Sequence, residues 1–282
     1  MAPSAKDLLE LFKVKQTALL LVTGVCAYLE GAGKPDPATL VLASLSMFLS
    51  IAGTTGFNMV LDADIDSAMF RTRNRPLPAR RMSAKDAVLA SSAALAAGLA
   101  AGVAVNPYVF VAGLLGFLID IAVYTVLLKR KSPWSVVFGG FAGGMPALGG
   151  WAAATGGFGY QGVLLMLLVA VWSSLHIWTL STYYSEDYRR AGVPMLPAVY
   201  GERAGVVASL AAAVAVFLVA FLAFRAGLIS AVGFAVAAVP LVLAVAVLLK
   251  GLVSGEYREK AYRAFKLVNI FMGLFFVLLV LT

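Results

Sequence analysis

Charge is what this sequence lacks most. Only 13% of its 282 residues are Asp, Glu, Lys or Arg, against roughly 25% in a soluble domain. Cysteine is nearly absent too. The single Cys26 lies in an apolar run, which excludes an intramolecular disulfide and a cysteine-built metal site and suits a small buried apolar side chain. There is one histidine, His176, and no HExxH, CxxC or GxxxxGK[ST], so zincin, thioredoxin-like and P-loop chemistry are excluded. No convincing strand is present, so no Gly-rich nucleotide loop follows one. Acids number 14 against 22 bases, for a net charge of +8. Aromatic and basic residues do not interleave on a polar surface, so nucleic acid is not the expected partner. A lipid surface or a phosphate-bearing substrate is.

Apolar residues fill the space that charge leaves, at 61% of the chain. They come in runs of about twenty residues, the length of a membrane-crossing helix, not in the alternating ten-residue segments of a barrel. In lipid every backbone group must pair internally, so helices are the default. Nine spans are expected, at roughly 16–32, 38–61, 85–105, 107–128, 133–154, 160–184, 203–225, 228–250 and 262–281. They make one all-α integral membrane domain over residues 1–282. The small-residue stretches AALAAGLAAG (93–102) and GGFAGGMPALGG (139–150) permit close helix approach. On this layout all of the 22 basic residues except Lys34 and Arg225 fall on one side. The positive-inside rule then places the N-terminus in the cytoplasm and the C-terminus outside, in the cell membrane. The first sixteen residues mix Lys with acids and carry no cleavage-site pattern, so no removable signal peptide is expected.

The scarce charge is concentrated. FNMVLDADIDSAMFRTRNRPLPARR (57–81) holds three aspartates and five arginines directly after an apolar run. Charge at a bilayer edge is costly and marks function. Asn58, Asp62 and Asp66 stand at i, i+4 and i+8, one face of a helix, about 6 Å apart along its axis; Asp64 points elsewhere. An amide and two carboxylates form an all-oxygen site suited to Mg²⁺, which completes its shell with water and substrate phosphates. Arg71, Arg73 and Arg75 follow, and guanidinium forks match phosphate oxygens. The segment therefore reads as half of a diphosphate–magnesium cradle at the cytoplasmic mouth.

A second wall is expected from TYYSEDYRRAGVPMLP (182–197), which offers Glu186, Asp187, Arg189 and Arg190. It weakly echoes the first cluster, since an acid, then Arg, then paired prolines recur after four intervening helices. YTVLLKRKSPW (124–134) adds Lys129, Arg130 and Lys131, with Tyr124 one turn inside, and Lys13 and Lys15 stand near the start. Asp120 precedes Tyr124 by four residues and either lines a pocket or pairs with a neighbouring helix. His176 is either a hydrogen-bonded interior residue or a substrate contact. Trp172, Trp178 and Tyr183 belong either to the lipid belt or to a pocket whose π faces stabilise a cation.

Together, NMVLDADIDSAMFRTRNRP, YTVLLKR and EDYRRAGVPMLP resemble the UbiA superfamily of intramembrane prenyltransferases, over nearly the whole chain. LHIW upstream of the last motif, Met59 directly after Asn58, and Tyr183 four residues before Asp187 make it most similar to the haem-farnesylating branch. The resemblance implies a bundle with a polar site at its cytoplasmic end. Asp62, Asp66 and Asp187 would hold Mg²⁺ against a prenyl diphosphate. Asn58, Arg71, Arg75, Lys129 and Arg130 would hold its oxygens, and Lys15, Tyr124, Tyr183 and His176 would contact substrate. Haem b would be the acceptor, its vinyl group receiving the farnesyl chain and then water. Two other functions fit parts of the pattern. One is prenylation of an aromatic ring such as 4-hydroxybenzoate, or of a glycerol phosphate lipid. The other is ion transport through the intramembrane carboxylates, although transport places charge near mid-bilayer and here only Asp120 lies deep.

Overall fold

The structure, a computed structural model, describes residues 4–282; the first three residues of the expected domain lie outside it. Thirteen α-helices and one π-helical segment account for the regular structure, and no strand occurs among the described residues. The chain starts with α1 (Ala5–Leu11) and α2 (Val14–Ala32), then α3 (Pro37–Leu61), the short α4 (Ala63–Ala68) and α5 (Ala84–Val105). α6 (Pro107–Leu118) widens into a π-helix over Ile119–Leu128, and α7 (Ser135–Thr155) and α8 (Gly159–Tyr183) follow. After the short α9 (Ser185–Arg190) and α10 (Leu196–Tyr200) come α11 (Glu202–Arg225), α12 (Ala231–Ser254) and α13 (Tyr257–Leu281).

The helix starts are written locally. Asp36, Ser83, Asn106 and Ser230 each cap the helix after them, accepting a backbone N–H with their side chains, and Pro37 and Pro107 stand in first turns, where a missing N–H does no harm. Eight helices among the described residues are long and apolar enough to cross a membrane, where nine were expected. The eight match the expected spans within a few residues at most edges. The helix that falls short is α2, whose 19 residues include Lys15, Gln16 and Glu30. It still runs the length of the bundle: Lys13 precedes it at the charged end, and Gly31 packs against Trp151 and Thr155 of α7 at the other.

Each long helix packs on the next, α2 on α3, α3 on α5, and so on to α12 on α13, and α13 closes the ring against α2 and α8. α7 is the innermost span and the α6 segment the outermost. The small residues explain the tight core. A Cβ on Gly140 or Gly144 would strike the backbone of α8, and one on Gly150 the backbone of α2, as the 139–150 stretch predicts. Gly98 meets the α3 backbone at Ser50 in the same way. Large apolar side chains such as Leu19, Leu89, Leu218, Val232 and Val253 face outward. A water-soluble protein does not carry such a surface on every side; this is a multi-pass membrane protein.

Candidate functional site

α3 stops at Leu61 because Asp62 leaves helical geometry (φ −97°, ψ 5°) and serves as the hinge into α4. The i→i+4 ladder nevertheless runs through the break: Asp62 N–H donates to Asn58 O at 3.0 Å and Asp66 N–H to Asp62 O at 2.8 Å. The expected shared face of Asn58, Asp62 and Asp66 thus survives, and all three are buried. Asp64 turns away, as expected, and pairs at the surface with Arg130 at 2.7 Å.

Those three residues line a polar cavity of about 250 Å³ together with Lys13, Thr55, Arg71, Arg75, Asp120, Tyr124, Lys129 and Tyr188. Two of its acids are already paired with bases. Arg75 Nη1 donates to both Asp66 carboxylate oxygens at 2.9 and 2.7 Å, and Lys129 pairs with Asp62 through Oδ2. Lys13 Nζ donates to Asn58 Oδ1 at 3.1 Å, and Asn58 Nδ2 donates to Thr125 Oγ1 at 2.9 Å. Burial first, and then the charges of Arg75 and Lys129, push Lys13 down to about 8. Arg71 stands over the Tyr184 ring, 5.8 Å from its centroid.

The π-helix sets the far wall. Its i→i+5 bonding widens the turn, and such segments are frequent at functional sites. Lys129 N–H donates to Tyr124 O at 2.7 Å, and Lys129 Nζ lies 5.5 Å from the Tyr124 ring centroid. Below the polar cavity, between α3, α6 and α7, lies an apolar chamber of about 280 Å³, lined by Met47, Ile51, Phe117 and Met145 among others.

One buried polar atom lacks a partner here, Asp62 Oδ1. A buried carboxylate oxygen without a donor is costly, and Asp62 lines a cavity whose other possible metal ligands are oxygens. That set fits a hard divalent cation held by one or two carboxylates with phosphate completing the shell. No group of three or more His, Cys, Asp or Glu side chains that could hold a metal exists among the described residues; the carboxylates that line the cavity are Asp62, Asp66 and Asp120.

Several expected residues lie elsewhere. Asp187 sits on α9, half-buried, and does not line the cavity; the α8–α9 arm contributes Tyr188 and, beyond it, Val193 and Met195. Arg130 is held outside by Asp64 and the Leu61 carbonyl. Lys15 is exposed, and Lys13 enters in its place because its left-handed backbone (φ 43°, ψ 49°) turns the chain between α1 and α2. Tyr183 stacks on Tyr262 at 4.5 Å. His176 Nδ1 meets Asn269 Oδ1 at 2.9 Å between Trp172 and Phe265, so both face α13, not the cavity. Thr125 and Tyr188 had no sequence signal that set them apart from other apolar-run or loop residues.

A carboxylate-and-cation cradle above an apolar chamber, inside a ring of membrane helices, is the site of an intramembrane enzyme acting on a charged head with an apolar tail. The chain belongs to the UbiA prenyltransferase family, which matches residues 19–277. It is 39% identical to the protoheme IX farnesyltransferase of Aeropyrum pernix over 276 residues, 97% of this chain and 90% of that protein. It is 50% identical to the protoheme IX farnesyltransferase of Hyperthermus butylicus over 196 residues, 68% of this chain and 65% of that protein, so that match spans just under two thirds of the relative. Among solved structures, a digeranylgeranylglyceryl phosphate synthase superposes with TM-score 0.78 at 22% identity over 98% of this chain and 97% of the other. A UbiA homologue from Archaeoglobus fulgidus bound to DMAPP and Mg²⁺ superposes with TM-score 0.65 at 17% identity, over 95% and 99%. At those identities the likeness is one of fold.

Proposed function

We infer that this protein transfers a farnesyl group from its allylic diphosphate to a vinyl group of haem b, yielding haem O. The observation that carries the reading is the cradle itself: a buried, unpartnered Asp62 oxygen in a cavity ringed by Lys13, Arg71, Arg75 and Lys129, directly above an apolar chamber. The names of relatives at 39% and 50% identity support the choice of acceptor.

Asp62 and Asp66 would hold the metal, and Asp187, which does not line the cavity, would not. Mg²⁺, when bound, neutralises the diphosphate and makes it a better leaving group; the ligands of the A. fulgidus homologue support that choice of ion. Lys129 and Arg75 exchange their carboxylate partners for diphosphate oxygens. Lys13 and Arg71 complete the anion cage, with Asn58 orienting Lys13. The apolar chamber takes the prenyl tail and keeps water from the allylic carbon. The acceptor double bond attacks that carbon, water adds to the resulting cation, and its proton leaves to solvent. Haem is a substrate here, entering from the bilayer.

α2 makes a ninth crossing, supported by its course from the cradle to the opposite end of the bundle. One domain then sits in the cell membrane with the N-terminus and the cradle cytoplasmic and the C-terminus outside, as the distribution of Lys and Arg favours.

Purified protein supplied with farnesyl diphosphate, Mg²⁺ and an equal mixture of haem b and 4-hydroxybenzoate tests the reading by mass spectrometry. Haem carrying a hydroxyethylfarnesyl group is the expected product. Farnesylated benzoate beside untouched haem overturns the acceptor.

A further inference from the structure

The two cavities meet, and four residues line both: Thr55, Asp120, Tyr124 and Ile177. A substrate with its diphosphate in the polar cavity and its chain in the apolar chamber has its scissile C1–O bond at this boundary. The four differ in what they offer there. Thr55 Oγ1 already donates to the Phe12 and Ala52 carbonyls, at 3.2 and 3.0 Å. Ile177 is apolar, and Tyr124 presents its ring to Lys129. Asp120 alone brings a negative charge.

The Asp120 carboxylate makes no hydrogen bond and no ion pair among the described residues. The cations nearest in function are engaged elsewhere, Lys13 with Asn58 and Lys129 with Asp62. Its backbone is fixed: Thr125 Oγ1 donates to the Asp120 carbonyl at 2.7 Å and accepts from Asn58 Nδ2 at 2.9 Å. The π-helix that begins one residue earlier is tied through Thr125 to the face that carries the cradle. A carboxylate within a membrane span is expensive and is seldom kept for stability. Here its backbone is tied to Thr125, its carboxylate is left without a partner, and it is set at the one boundary where positive charge would develop.

We propose that Asp120 is a catalytic residue of this chain, a fixed negative charge that stabilises the allylic carbocation. The inference rests on the reading that an allylic diphosphate spans the two cavities. In the step concerned the C1–O bond breaks and its electron pair leaves on the diphosphate oxygen, so positive charge stays on the allyl fragment. C1 then bonds to the acceptor through the acceptor's own π electrons. Asp120 is not consumed and moves no proton; its charge acts more strongly beside the apolar chamber than it would in bulk water.

Two analogues separate this role from a structural one, used with the full chain in detergent and Mg²⁺ present. One is a non-hydrolysable thio analogue of farnesyl diphosphate, neutral at C1. The other is a farnesyl-like ammonium, charged where C1 stands, added with inorganic diphosphate. Asp120→Asn should leave affinity for the thio analogue unchanged while ammonium affinity and kcat each fall about 100-fold, the scale of removing one preorganised catalytic group. Asp120→Glu, which keeps the charge, should recover much of the ammonium binding. Equal affinity of the Asn variant and the parent for the ammonium overturns the proposal. So does loss of both analogues in both variants, which marks Asp120 as structural. A parent protein that binds neither analogue refutes the allylic-diphosphate reading itself, and the inference with it.

Discussion

The two arms that end in the cradle region, α3–α4 and α8–α9, are built alike and equipped differently. Each is a 25-residue helix, a one-residue break with φ −97°, at Asp62 and at Tyr184, and then a six-residue helix. The faint sequence echo between the two clusters is therefore a structural one. Aligned on the break, Leu180 stands for Asn58, Tyr184 for Asp62 and Tyr188 for Asp66. Tyr188 lines the cavity as Asp66 does. Asp187 is one residue earlier, about 100° around the helix, which is why it misses the cavity. Of the second arm's acids, Asp187 is half-buried outside the cavity and Glu186 pairs with Arg189 at 2.7 Å at the surface. The first arm buries its carboxylates against Lys129 and Arg75. What matters is register against the break, not the presence of an acid in the motif.

That contrast can be broken most sharply at the metal. Asp62→Ala should lower kcat about 1,000-fold, as loss of a charge-stabilising group at the reacting centre does, with the folded protein intact by thermal melting. Asp187→Ala, measured beside it, should change kcat less than about threefold, as an interaction away from the transition state does. Equal damage from the two would abolish the asymmetry. Next in size, Lys129→Met should weaken inorganic diphosphate binding about 10- to 100-fold, the scale of a charge-assisted hydrogen bond, as titration calorimetry would read. A smaller effect concerns pH. Lys13 binds anions in its protonated form and sits near 8, below its ordinary value, so kcat/KM for the diphosphate should fall as pH rises through about 8. Lys13→Arg should move that limb upward. Least of all, Arg130→Ala should alter stability by only about 0.5 kcal/mol, because the Asp64 pair is exposed.

The helices were legible because a bilayer demands some twenty apolar residues per crossing, and composition alone meets that demand. The first arm was legible because Asn58, Asp62 and Asp66 repeat at four-residue spacing, and the i→i+4 bonds persist across the break. Lys13 was harder to see. Lys13 and Lys15 look equivalent in sequence, and only the left-handed turn between α1 and α2 sends one inward. The resemblance implied Tyr183 and His176 as substrate contacts, yet their rings are taken up by Tyr262, Phe265 and Asn269 of α13, and Asn269 stands 93 residues from His176 in the chain. The wide turn at Ile119–Leu128 had no sequence signature.

By itself the sequence determined what depends on neighbours within one helix: which segments are membrane-length, where caps start them, and which residues of the first arm share a face. Only the tertiary structure decided which charged ends converge, because that depends on how helices distant in sequence pack and on single-residue breaks that rotate a side chain toward or away from a common cavity.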